Sequence, residues 1–138
     1  DVGTYFEGIA DSIRSSLLGP GSSVAIAVDS EDLSILADYA VPIGLLVNEL
    51  ATNAVKYAFP EGRGRIVLGF RRRDGEVTLS VQDDGIGLDA SARPGPGSGM
   101  GSRFVDAFVR QIGGTLARAG GANGTTVTVR LPASILAG

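Results

Sequence analysis

Apolar residues recur along this chain at two spacings, every three or four positions and every second position, and the switches between them mark the elements. Over residues 4–18, TYFEGIADSIRSSLL, the positions Tyr5, Phe6, Ile9, Ile13 and Leu17 share one helical face, and Gly19-Pro20-Gly21 ends the helix. Residues 23–28, SVAIAV, read as a strand, and 32–36 as a further short one. Asp38 then caps a long helix to about Ala58, with Pro42 in or near its first turn, where proline is tolerated. Two alternating strands follow at 65–72 and 76–83 around Asp74-Gly75, the strongest short hairpin signal. After a loop rich in glycine and proline, a helix from about Ser102 to Ile112 has Phe104, Val105, Phe108, Val109 and Ile112 on one face. Gly113-Gly114 stops it, and strands at 115–119 and 125–131 complete the pattern. Alternation this regular predicts an antiparallel sheet with one wet face and one covered by helices, an α/β class two-layer sandwich.

Composition narrows the chemistry. At 138 residues, 43% of them hydrophobic and 20% charged, the chain is one ordinary folded domain by size. A chain that opens on Asp1 rather than Met reads as a piece of a longer one. It holds no apolar run near the ~18 to 20 residues of a membrane span and no signal peptide. The absence of Cys excludes disulfides and thiolate metal sites and fits the cytoplasm. The absence of His removes the usual general base and the commonest zinc ligand. A net charge of -3 argues against nucleic acid as partner, and the basic run Arg71-Arg72-Arg73 belongs beside the solvated Asp74-Gly75 turn. Glycine is the outlier: 21 residues of 138, about twice the usual ~7%, clustered at 85–101 and 113–124.

Three stretches look chemical. In NELATNAVKYAF, residues 48–59, helical spacing puts Glu49, Asn53 and Lys56 on one stripe opposite a core face. The stripe faces either solvent or a ligand. Along 76–83, Val77, Leu79 and Val81 point to the core, and the next residue on that side is Asp83. Either the strand twists into a turn before Asp83, or a carboxylate lines the floor of a pocket and accepts from a ligand amine. Gly97-Ser98-Gly99-Met100-Gly101-Ser102 opens straight into a helix, where close backbone approach and free N–H groups make an anion site, though a capped helix after a loop gives the same pattern.

The order of these features resembles the GHKL ATP-binding (Bergerat) fold of sensor histidine kinases, type II topoisomerases, MutL proteins and some chaperones. The resemblance runs from about residue 22 onward and rests on Asn48 to Phe59, on Asp83-Asp84-Gly85-Ile86-Gly87, on the second glycine run, and on Gly124 before the last strand. Within that superfamily the chain is most similar to the catalytic domain of HWE-type histidine kinases, by its asparagine box, by Gly99-Met100-Gly101-Ser102-Arg103-Phe104-Val105, and by a lid lacking a Phe-x-x-Phe segment. It departs from that group in having no Trp, hence no Trp-x-Glu motif.

The resemblance implies a mixed, mostly antiparallel sheet covered on one face by helices, with ATP and Mg²⁺ as ligands. It implies that Asn53 binds Mg²⁺ through its amide oxygen, that Lys56 meets phosphate, and that Tyr57 flanks the nucleotide. Glu49 stands near the metal's waters, as a base or as their holder. Asp83 would accept from the adenine amine, and Gly85 and Gly87 would give the base close access. Gly99, Gly101 and Ser102 would lie along the phosphates, with Met100 packed inward, Arg103 a candidate phosphate contact, and Thr126 on the Asp83 side of the pocket. The implied reaction is transfer of the γ-phosphoryl group to a histidine on a separate helical dimerisation domain, with a response regulator downstream and no direct membrane contact. Residues 1–21 would be the connecting helix from that missing domain and 22–138 the catalytic domain. The alternatives are an anti-sigma-type serine kinase of the same fold and a scaffold that has lost ATP.

Overall fold

A computed structural model of the chain describes residues 1–16, 23–57, 63–84, 100–121 and 124–137. Helix α1 spans Val2–Ser16, strand β1 Ser23–Ser30, helix α2 Ala37–Tyr57, strands β2 and β3 Arg63–Arg73 and Glu76–Asp83, helix α3 Met100–Gln111, and strands β4 and β5 Thr115–Gly121 and Gly124–Pro132. A single 3₁₀ turn, Ala133–Ile135, follows.

The strands form one sheet in the order β1-β2-β3-β5-β4. β1 runs parallel to β2, and the other three pairings are antiparallel. The parallel pair follows from α2, which carries the chain back over the sheet between β1 and β2, a crossover that a hairpin cannot make. Asp74 and Gly75 both take positive φ, 49° and 82°, as the expected tight hairpin between β2 and β3 requires. Beside that turn Arg71 pairs with Asp29 at 2.6 Å, and Glu31 accepts from the Arg72 backbone N–H at 2.7 Å. The hydrogen bond and charge of Asp29 raise the Arg71 pKa above its ordinary value. The arginine run is thus a solvated edge in which Arg71 and the Arg72 backbone are tied to β1 and the residue after it.

Helix boundaries shift where side chains cap. The Asp1 carboxylate accepts from the Gly3 N–H at 2.9 Å and from the Thr4 hydroxyl at 3.3 Å, so α1 begins earlier than its apolar pattern indicates. Asp38 lies inside the first turn of α2 rather than capping it, where its charge still complements the helix dipole. α3 ends as expected at Gly113, φ 77°, with the Gly114 N–H bonded to the Val109 carbonyl and the Gly113 N–H to that of Arg110, the two bonds of a Schellman end. Residues 32–36 form no strand. Ile35 makes one isolated bridge to Leu136, and backbone bonds from Leu36 to Ile135 and from Ala137 to Ser34 bind this segment to the end of the chain instead.

All three helices bury an apolar face in one hydrophobic cluster on the same side of the sheet. Val2, Phe6, Ala10 and Ile13 of α1 are fully buried there, and the Phe6 ring meets Phe70 of β2 edge-on at 5.6 Å. α2 contributes Ile43, Leu46, Val47, Leu50, Ala51 and Ala54, and α3 Val105, Phe108 and Val109. The opposite face of the sheet presents Thr78, Ser80, Gln82, Thr126 and Thr128, so the wet face is the polar one.

Candidate active site

The register brings four chemically marked segments to one end of the sandwich. Asp83 closes β3 opposite Ile66, near the start of β2, and opposite Thr125, at the start of β5. The C-terminal half of α2 leads to that same start of β2. α3 ends beside the start of β4, which pairs with Arg130 at the far end of β5, and so directs its N-terminus back toward Asp83. The stripe on α2, the carboxylate, the glycine-led helix start and the last glycine therefore share one end of the fold.

Asp83 is buried, 5% exposed, and the alternation along β3 runs unbroken to it. Its Oδ1 accepts the Thr125 backbone N–H at 3.3 Å. A carboxylate with so little water must be held by donors, and an ionised one only accepts, so the position selects for N–H or O–H groups on whatever approaches. Glu49 and Asn53 are half-buried on the flank of α2 whose opposite side is core. The two lie one helical turn apart, so the amide and the carboxylate project from the same flank. No group of three His, Cys, Asp or Glu side chains among the described residues could by itself hold a metal.

One expectation is corrected. Residues paired directly across a ladder point to the same face, and Thr126 pairs with Gln82 while Thr125 pairs with Asp83. Thr126 therefore lies on the wet face of the sheet, and Thr125, 2% exposed, is the threonine beside the carboxylate. The signal was present in the sequence, since Val127, Val129 and Leu131 fix the inward parity of β5 and Thr125 continues it. Sequence reasoning also passed over Asp84, whose Oδ1 accepts from the Arg65 N–H at 2.7 Å. Gly124, φ 129°, sits so close to the Asp83 carbonyl that any Cβ would collide with it.

Of the other expected site residues, Lys56 and Tyr57 fall in the last turn of α2 and Met100, Gly101, Ser102 and Arg103 in the first turn of α3; their side chains lie outside the described residues. Gly85, Gly87 and Gly99 also lie outside them. Among the described residues, the first turn of α3 carries no acidic residue.

The model of the family described as histidine kinase-, DNA gyrase B-, and HSP90-like ATPase matches residues 39–135. The chain belongs to that family. Blue-light-activated histidine kinase 2 of Erythrobacter litoralis (strain HTCC2594) is 32% identical to this ATPase domain over 136 residues, 96% of this chain and 38% of that protein. Among solved structures, the histidine kinase domain of the Erythrobacter litoralis EL346 blue-light activated histidine kinase has a TM-score of 0.82 at 30% identity, covering 96% of this chain and 61% of that one. Full-length ShkA in complex with AMPPNP gives 0.77 at 25% identity, over 96% of this chain and 30% of that one. The ATPase domain thus has the α/β fold of histidine kinase catalytic domains, and it spans 25% to 38% of the length of the two curated blue-light-activated kinases it resembles. Among its described residues no helix is long and apolar enough to cross a membrane.

Proposed function

We propose that this domain binds Mg-ATP and passes the γ-phosphoryl group to a histidine on a separate helical dimerisation domain, as the cytoplasmic catalytic part of a two-component sensor kinase that serves a response regulator. The observation that carries the reading is the buried Asp83 carboxylate, which accepts from Thr125 at the end of the sandwich where α2 ends and α3 starts. An acceptor-only group there fits the exocyclic amine of adenine. The family's ATPase description and the nucleotide analogue in the ShkA complex support the ligand, and the kinases named among the relatives support the acceptor. Since the chain contains no His, the phosphoacceptor lies elsewhere.

The donor set suits Mg²⁺, a hard cation that prefers oxygen: Asn53 offers an amide oxygen, and Glu49 stands one turn away to hold metal-bound water. When bound, such a metal would supply charge neutralisation along the phosphate chain. The first turn of α3 would present backbone N–H groups and the positive end of its dipole to the phosphate chain, with Lys56 as a mobile positive charge. In the transfer, the acceptor's ring nitrogen bonds to the γ-phosphorus as the bond to the β–γ bridging oxygen breaks, and ADP leaves with that electron pair. Such a step asks mainly for positioning and charge neutralisation, so the domain needs no histidine of its own.

Calorimetric titration with a non-hydrolysable ATP analogue, with and without Mg²⁺, tests the reading. Wild-type protein binds more tightly with the metal. Asp83→Asn keeps the volume but replaces an acceptor oxygen with a donor, and hydrogen bonds to charged groups contribute about 1.5–3 kcal/mol, so affinity falls by about tenfold or more. Asn53→Ala removes the metal enhancement and leaves metal-free binding intact. Normal, metal-enhanced binding by both variants refutes the site assignment.

A further inference from the structure

We infer that Asp84 is a positioning residue: its carboxylate replaces its own backbone carbonyl in the β2–β3 ladder and so fixes Asp83 in place. This rests on the nucleotide reading of the site. Ile66 and Asp83 are the last regular pair of the ladder. The next pair, Arg65 and Asp84, would ordinarily exchange two backbone hydrogen bonds. One is made, from the Asp84 N–H to the Arg65 carbonyl at 3.2 Å. The other N–H, that of Arg65, goes instead to Asp84 Oδ1, at 2.7 Å. Aspartate is short enough to imitate a backbone carbonyl in this way, and an ionised acceptor makes the stronger bond.

The consequence falls on Asp83, one residue earlier. Its carbonyl side is hemmed in by Gly124, where a Cβ would strike the Asp83 carbonyl and come within 3.0 Å of the Asp84 Cα. Its carboxylate is held by the Thr125 N–H. With β5 on one side and the Asp84–Arg65 bond on the other, the Asp83 backbone is fixed from both neighbouring strands at the point where the sheet ends. Asp84 itself is exposed and free of the desolvation that a buried charge must offset. Its carboxylate therefore serves geometry, and a neutral side chain with an acceptor oxygen in the same position can take its place with a somewhat weaker bond.

The test compares binding of ADP and of inosine diphosphate, which lacks the exocyclic amine, by calorimetry. The wild-type domain prefers ADP. In Asp84→Ala the preference falls by about tenfold toward parity, through loss of ADP affinity, while inosine diphosphate binding is unchanged. Asp84→Asn, which keeps an acceptor oxygen, restores the preference to within about twofold. A general loss of folded protein lowers both affinities together and leaves their ratio alone, so the ratio reports positioning. An Asp84→Ala protein that discriminates as well as wild type overturns the inference, as does failure of Asp84→Asn to restore discrimination. Wild-type protein that binds neither nucleotide overturns the ATP reading, and this inference with it.

Discussion

Removing the Phe6 ring should destabilise the whole domain, not merely loosen its first helix. Phe6 has no exposed surface and stands edge-on to Phe70 with their ring centroids 5.6 Å apart and an interplanar angle of 79°. Truncating a buried phenylalanine to alanine costs about 3–5 kcal/mol through lost transfer energy and the cavity left behind. The edge-on contact accounts for about 0.5–1.5 kcal/mol of aromatic pairing. A domain with about 5–15 kcal/mol of stability loses a large share of it.

Urea unfolding followed by far-ultraviolet circular dichroism measures the effect. With a slope of about 2 kcal/mol per molar, the midpoint of Phe6→Ala falls by about 1.5–2.5 M in a single transition. Because Phe70 lies in β2, between β1 and β3, loss of the ring is felt by the sheet as well as by α1. Were α1 only a connector resting on the domain, the substitution would behave as a surface change, within about 0.5 kcal/mol of neutral. A midpoint shift below about 0.5 M, or a separate early transition in helix signal, would refute the assignment of α1 to the common core.

Two of the helical glycines, Gly44 and Gly8, should part company. Gly44→Ala places a methyl group against the Tyr5 ring and hydroxyl, which donates to the Ala40 carbonyl at 2.6 Å, and lowers stability by about 1–3 kcal/mol in thermal or urea melts. Gly8→Ala meets nothing within 4 Å and raises stability by up to about 1 kcal/mol through helix propensity. On the sheet, Thr125→Val weakens binding of an ATP analogue several-fold, whereas Thr126→Val on the wet face leaves calorimetric affinity at the wild-type value. The reverse order would return the pocket to Thr126.

Most features carried by short-range pattern were legible in the chain, the exceptions being 32–36, which forms no strand, and Asp38, which lies inside α2 rather than capping it. The 3.6-residue and two-residue periods marked the helices and strands, Asp74-Gly75 fixed the hairpin, and parity along β3 carried Asp83 into the buried layer. Thr125 was legible by the same parity, but the motif match drew attention to its neighbour. These features depend on residues within a few positions of each other, where backbone geometry alone couples sequence to structure. The tertiary structure decided what depends on partners far along the chain. Only the assembled sheet put β1 parallel to β2, seated Phe6 of α1 on Phe70, and brought the Arg65 N–H to a carboxylate nineteen residues away. Periodicity says which way a side chain points, but not which strand lies beside it. That choice is made by burying all the apolar faces at once, and it converts Asp83 from an inward-pointing residue into one held between two strands.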